Sequence, residues 1–236
     1  MKNPELAETY IISPDSSKTG LKRDVKGKDQ LGQEFDISVV EERPLTIFLN
    51  RQEIVTSMTL ADYPEYLALG FLSNQGMLFR HDKIIAVDYD EELETVVVRT
   101  SRKTDYEEKL SKKTRTSGCA VGTVFGDMME GLEEIQLPQT SLKTSWLYSL
   151  VRQINQTPSL YLEAGAIHGT VLCEEDRPLV YMEDVGRHNA VDKIAGWMLA
   201  NAISADDKIL YTTGRLTSEM VMKTAKMGIP VLISRS

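Results

Sequence analysis

The sequence predicts an α/β fold preceded by a smaller α+β part. In the C-terminal half, short apolar strand-like runs alternate with helical runs at the spacing of β-α-β units. In the N-terminal half, several β-type runs flank a single helical one. Hydrophobic residues make up 42% of the 236 and are spread along the chain, which supports a packed core rather than disorder.

Residues 1–33 are polar and rich in Lys, Asp, Gly and Ser, which predicts a loosely ordered lead-in. Residues 35–40, 45–50 and 53–58 read as strands, the last two joined by a tight turn near Arg51 and Gln52. Asp62 is placed to cap a helix running to about Ser73, with Pro64 in its first turn and Leu67, Phe71 and Leu72 on its apolar face. Residues 84–89 and 95–100 alternate like a strand pair. Residues 101–116 are charged and aperiodic, so a subdomain boundary is expected there, dividing 34–112 from 113–236.

A helix over 140–156 follows from Leu142, Trp146, Leu150 and Ile154, and Pro158 stops it. A short strand at 179–182 leads to a helix over about 187–202. Asp184 stands at the expected N-cap, and Val191, Ile194, Ala195 and Met198 share one face. Residues 208–213 form the next strand. Thr217 caps another helix, which ends at Gly228 and Pro230 before a last strand at 231–234. Strand, helix and strand at this spacing imply a parallel pair.

Composition excludes some functions. A formal net charge of −8 argues against broad nucleic-acid binding, which needs a basic surface. No apolar stretch approaches the ~20 residues that span a bilayer. The N-terminus shows no basic region followed by an apolar run, so a cytoplasmic location is expected. Two cysteines, Cys119 and Cys173, and three histidines have spacings that do not suit a structural four-ligand zinc site.

Two polar segments follow strand-like runs. The first, 183–193, holds Asp184, Gly186, Arg187, His188, Asp192 and Lys193. The C-terminal ends of such strands are where open α/β folds place ligands. Gly186 lets the backbone approach a ligand, and helix-start amides with Arg187 suit a phosphate. The plainer alternative is a charged helix start with caps and surface ion pairs. His188 and Asp192 share a helix face at metal-ligand spacing, but no third ligand is obvious.

The second segment, 213–219, repeats the arrangement with Thr213, Gly214, Arg215 and Glu219. Alone it is an ordinary strand-to-helix connection. Two such segments from neighbouring strands, each with an arginine, point to one anion site. Cys119 sits among Gly118, Ala120 and Gly122, which predicts an accessible loop where Arg115 could lower a thiol pKa. The alternative is a small buried hydrophobe. Cys173 lies in an apolar run and is expected to be inert. His168, beside Gly169, either lines a site or caps a turn.

These residues resemble the formate dehydrogenase accessory sulfurtransferase family. Residues 183–193 with Ile194, Ala195 and Gly196 carry the similarity, as do 213–219 with Met220, Val221, Met222 and Lys223, and the run 228–232. Glu41, Glu42, Arg43, Pro44 and Leu45, then Gly70, Phe71 and Leu72, match its N-terminal part. The similarity covers about 35–236.

The resemblance implies a cytosolic homodimer with a cytidine-deaminase-like three-layer α/β/α sandwich. It implies a carrier that takes sulfur from a cysteine desulfurase and passes it to the molybdenum cofactor before insertion into formate dehydrogenase. The cofactor, in its bis-molybdopterin guanine dinucleotide form, is then a bound substrate. It would be held by residues of the two polar segments together with His168. Cys119 matches the loop cysteine that carries the persulfide.

The zinc-deaminase signature, a His-x-Glu with a Cys-x-x-Cys, is absent, so neither zinc nor deamination is expected. The family loop reads Gly-Cys-Gly-x-Cys-Gly. Here Gly122 replaces the second cysteine, so no internal exchange between two loop thiols is open to this chain. Related chains also continue past the position of Ser236, into a segment that contacts the cofactor. The competing hypothesis, which the missing second cysteine favours and the retained Cys119 opposes, is a cofactor-binding chaperone that transfers no sulfur.

Overall fold

A computed structural model of the chain describes residues 10–79, 81–102 and 132–236, with the backbone of Lys113–Thr116 and Gly122–Phe125. The first sheet is built from β3 (Arg43–Leu49), β4 (Gln52–Thr59), β5 (Ile84–Asp90) and β6 (Thr95–Thr100), in the order β4-β3-β6-β5. Inward positions Leu45, Ile47, Leu49, Val96 and Val98 alternate along β3 and β6 and are buried. They pack on Leu67, Ala68 and Leu72 of helix α1 (Pro64–Asn74). Each such side chain contributes about 1.5–3 kcal/mol by leaving water.

The second sheet holds β9 (His168–Glu174), β10 (Arg177–Asp184), β11 (Lys208–Thr212) and β12 (Val231–Ser234), in the order β10-β9-β11-β12. β9 and β10 form an antiparallel hairpin, and β11 and β12 are parallel across the connecting helix. One face carries Val171, Cys173, Tyr181 and Tyr211 against Leu150 and Ile154 of α2 (Thr144–Gln156). A short helix, α3 (Leu160–Ala164), follows α2. The other face carries Leu172, Val180, Met182 and Leu210. It meets Val191, Ile194 and Met198 of α4 (Arg187–Ala200) and Met220 of α5 (Ser218–Lys226).

Helix α1 lies between α4 and the first sheet. The two helices approach until backbones touch. A Cβ on Gly70 would stand 1.7 Å from the Asp192 carbonyl oxygen, and one on Gly196 would stand 1.8 Å from the Tyr66 carbonyl oxygen. Only glycine fits at either position. Helix α4 is therefore buried on nearly every side, from Asn189 to Met198, rather than along one stripe. The fold is thus mixed α/β, with several sheets and five helices among the described residues. None of these helices is long and apolar enough to cross a membrane.

Several local expectations are corrected. Residues 1–33 are not wholly a loose lead-in. β1 (Lys22–Lys28) forms a ribbon with β2 (Glu34–Val40), and the Ile11 and Ile12 backbone joins the edge of β10. Asp62 does not cap α1. The N-cap is Tyr63 in the left-handed region (φ 49), and Asp62 turns inward to a lysine. Asp184 does not cap α4 either; it ends β10, and Gly186 is the N-cap. Thr217 does cap α5, accepting from the Met220 amide.

Candidate functional site

The C-terminal ends of β10 and β11 converge, as the polar segments suggested, but the strands are not neighbours. β9 runs between them, antiparallel to both. Its first residue, His168, pairs with Asp184 and so enters the site between the two turns. Thr213 extends the β11 edge, because its amide donates to the Gly169 carbonyl and its Oγ1 accepts from the Gly169 amide, both at 2.9 Å. The Gly214 amide donates to Thr212 Oγ1 at 3.1 Å.

Gly214 has a steric role. A Cβ there would lie 3.0 Å from Arg187 Cβ, 3.1 Å from Arg187 Cδ and 3.5 Å from His168 Nδ1. Its absence lets the Arg187 side chain lie across the β11 turn beside His168. In that position Arg187 Nε is buried and finds no hydrogen-bond partner among the described residues. A buried cationic donor without an acceptor is costly unless a ligand supplies one. Thr170 Oγ1, two residues along β9 from His168, is likewise buried and unpartnered among them. Arg215 is exposed at the rim.

Both imidazoles favour the neutral form. Burial lowers the His168 pKa, and the cations of Arg187 and Arg215 add to the effect, partly opposed by Asp184. Burial also lowers that of His188, to about 4, helped by Lys223 and Arg187 and opposed by Glu219. Near neutral pH the positive charge of the site therefore rests on the two arginines.

Four predicted residues are not on this surface. Asp184, Asp192, Lys193 and Glu219 are buried and paired. The Lys193 ammonium binds Asp62 and lies 2.8 Å from Asp184 Oδ2, and it donates to the Glu183 carbonyl at 3.1 Å. Asp184 also accepts from Thr59, from the Gly186 amide at 2.9 Å and from Asn189 Nδ2 at 2.9 Å. Asp192 accepts from Lys223 at 2.6 Å and from Asn74 at 2.7 Å. These groups hold α4 at a fixed depth over the sheet, so that Gly186, Arg187 and His188 emerge at its end.

The sequence reading missed three of these partners, Asp62, Asn74 and Lys223. Lys223 carried a usable signal, since it stands one helical turn after Glu219, 3.4 Å away in an ion pair. Asp62 and Asn74 carried none, because their contacts join residues more than a hundred positions apart. A cavity of ≈ 460 Å3 between the C-terminal ends of α1, α4 and α5 contains no predicted site residue, although Asn74 lines it. Among the described residues, no three His, Cys, Asp or Glu side chains converge as metal ligands. Cys119 falls between β7 (Lys113–Thr116) and β8 (Gly122–Phe125) and lies outside the described residues. Cys173 is buried in β9, where burial pushes its thiol pKa far up.

Comparison with known proteins shows the family and a similar fold. A sulfur carrier protein FdhD from Listeria monocytogenes is 32% identical over 208 residues, covering 86% of this chain and 80% of that one. A protein of the same description from Bacillus pumilus is 30% identical over 200 residues, covering 84% and 76%. The crystal structure of a formate dehydrogenase accessory protein from Desulfotalea psychrophila is similar with a TM-score of 0.71 and 31% identity, over 91% of this chain and 83% of that one. The model of the FdhD/NarQ family matches residues 40–236, which takes in both sheets and the whole convergent site, and the chain belongs to that family.

Proposed function

We propose that this chain carries sulfur to the molybdenum cofactor that formate dehydrogenase requires. The observation that carries the reading is the Arg187 guanidinium, buried at Nε without an acceptor among the described residues and laid over Gly214 beside His168. Such a group calls for an anionic ligand. The pyrophosphate of a guanine-dinucleotide cofactor fits that chemistry, with Arg187 and Arg215 as its counter-charges and the α4 start behind it. The second sheet, with helices on both faces, then serves as a deaminase-like scaffold used for binding, not deamination.

In this reading Cys119 is the carrier. Its thiolate attacks the terminal sulfur of a cysteine desulfurase persulfide. The desulfurase thiolate leaves, and Cys119 holds the new persulfide. The cofactor is substrate, and formate dehydrogenase receives it. We place the reaction in the cytoplasm, where thiols stay reduced, and expect a homodimer. The names of the relatives support sulfur carriage.

The test is intact mass after incubation with a cysteine desulfurase and cysteine. The wild type should gain one sulfur atom that reductant removes, and Cys119→Ala should gain none. Failure of both the mass gain and the loss of dehydrogenase maturation in Cys119→Ala would end the proposal. One feature favours a second reading, a cofactor-binding chaperone. Gly122 stands where the family loop has its second cysteine, so two loop thiols cannot form a relay in this chain. Under that reading Cys119→Ala would support full dehydrogenase activity while Arg187→Ala would not.

A further inference from the structure

Behind the candidate site runs a buried chain of charges drawn from three helices. Helix α5 supplies Glu219 and Lys223, α4 supplies His188 and Asp192, and α1 supplies Asn74. Asn74 donates to Asp192 Oδ1 at 2.7 Å, and Lys223 donates to Asp192 Oδ2 at 2.6 Å. The Lys223 ammonium also lies 3.4 Å from Glu219 Oε1. The other oxygen of that carboxylate, Oε2, lies 3.5 Å from His188 Nε2. The Asp192 and Lys223 side chains are 1% exposed and that of Glu219 5%. An apolar filling of the same volume would join the three helices at no loss of stability. What it could not do is hold a negative charge beside His188.

Both polar contacts of the His188 ring fall on Nε2, to Thr217 Oγ1 at 3.3 Å and to Glu219. Among the described residues none falls on Nδ1. A neutral imidazole carries one proton and one bare lone pair, and the neighbours decide which nitrogen has which. A carboxylate only accepts, so Glu219 favours a proton on the nitrogen it faces. We propose that Glu219 is a positioning residue that fixes the tautomer of His188, with the proton on Nε2 and the lone pair on Nδ1, and that Lys223, Asp192 and Asn74 hold Glu219 in place.

The consequence concerns what the site accepts. With Nε2 turned to Thr217 and Glu219 and the side chain 18% exposed, Nδ1 is the ring nitrogen left to accept from a ligand beside the two arginines. The matching ligand carries a hydroxyl or N–H donor close to its anionic group, as a nucleoside diphosphate does and inorganic pyrophosphate does not. This deepens the cofactor-site reading and rests on it. The charged and titratable groups around the ring are Lys223 and Glu219 from α5, Arg187 from α4 and His168 from β9. Burial first, then the cations of Lys223 and Arg187, disfavour an imidazolium against the opposing pull of Glu219. The ring is therefore neutral over the range where the tautomer matters.

The test is nitrogen NMR of the full chain labelled at histidine, with His188→Gln identifying the signal. The wild type should show His188 protonated on Nε2 from pH 6 to 8. Glu219→Gln, which keeps the shape and removes the charge, should shift population toward the Nδ1 proton and lower the protonation midpoint. Lys223→Met should raise that midpoint. An Nδ1 proton in the wild type, or an unchanged tautomer in folded Glu219→Gln, would overturn the proposal. If Glu219→Gln does not fold, the wild-type tautomer alone decides. Binding of guanosine diphosphate and of pyrophosphate is then measured by calorimetry. Glu219→Gln should weaken the diphosphate about fivefold, the worth of one hydrogen bond, and leave pyrophosphate unchanged. Equal losses for both ligands would also count against the inference. A wild type that binds neither ligand but shows the Nε2 proton would overturn the cofactor-site reading and leave the tautomer assignment standing.

Discussion

Charged side chains of the Arg187 to Lys193 stretch divide into two kinds, and their substitutions should behave oppositely. Lys193 neutralises Asp62 and Asp184 inside the protein. Lys193→Met would leave two buried carboxylates without a cation, at a cost of about 3–5 kcal/mol in urea unfolding. Arg187 neutralises nothing buried among the described residues, and its Nε lacks a partner there. Arg187→Ala should therefore change stability by less than about 1 kcal/mol while weakening guanosine diphosphate by tenfold or more. If Arg187→Ala unfolds as readily as Lys193→Met, the guanidinium is part of the scaffold. The sequence made Arg187 legible, since an arginine between a glycine and a helix start suggests a phosphate. It could not separate Arg187 from Lys193, because the distinguishing contact, Lys193 to Asp62, spans 131 positions. His168 was undecidable for a similar reason, since only the pairing of β9 with β10 brings it between the two turns.

At the level of elements, α1, α2, α4 and α5 and most strands could be read from apolar period and stop signals, while of the three caps read from the sequence only Thr217 holds. The pair β7 and β8 could not, since 101–116 reads as an aperiodic loop and 118–122 as another, and neither could β1 or α3. β1 reads as a charged loop because Lys22, Arg23, Asp24, Lys26 and Lys28 leave no apolar alternation. Its stability comes from backbone pairing with β2 and from Leu21, buried at its base. α3 has five residues and depends on a distant carboxylate. Glu183 accepts from the Leu160 and Tyr161 amides at 2.9 Å each, while Ser159 accepts from Leu162. The α1–α4 crossing gives the sharpest prediction at this scale. Gly70→Ala or Gly196→Ala would drive a methyl into a carbonyl of the other helix, because the obstacle is backbone and cannot rotate away. Each should cost at least about 3 kcal/mol by thermal or urea unfolding, well above the roughly 1 kcal/mol that alanine usually gains over glycine within a helix. A stabilised alanine variant would mean that the helices do not touch as described.

For the whole molecule, two buried groups pull the pH dependence in opposite directions. Burial raises the Glu183 pKa to about 7, against the lowering effect of the two amides it accepts from. An unfolded glutamate titrates near about 4.3. Between these values the folded chain holds the extra proton, so Glu183 makes stability fall as pH rises. His188 does the reverse. Its folded value of about 4 lies below the unfolded one, so the unfolded chain takes up the proton first and stability rises with pH up to about 6.5. Glu183→Gln removes the first effect and keeps an acceptor for α3. Its stability relative to wild type should improve steadily from about pH 4.5 to 7, by on the order of 1 kcal/mol per pH unit, in urea titrations at stepped pH. A constant difference would show that Glu183 is ionised throughout. The contact of Gly70 with α4 also bears on how the chain is made. α1 leaves the ribosome more than a hundred residues before α4, and at about 5–20 residues per second that gap lasts on the order of ten seconds. Through that interval the first sheet can form on one side of α1, while the groove on the other side waits bare for its partner. The nascent N-terminal half thus keeps one face of α1 uncovered until the sequence around Gly196 has been synthesised.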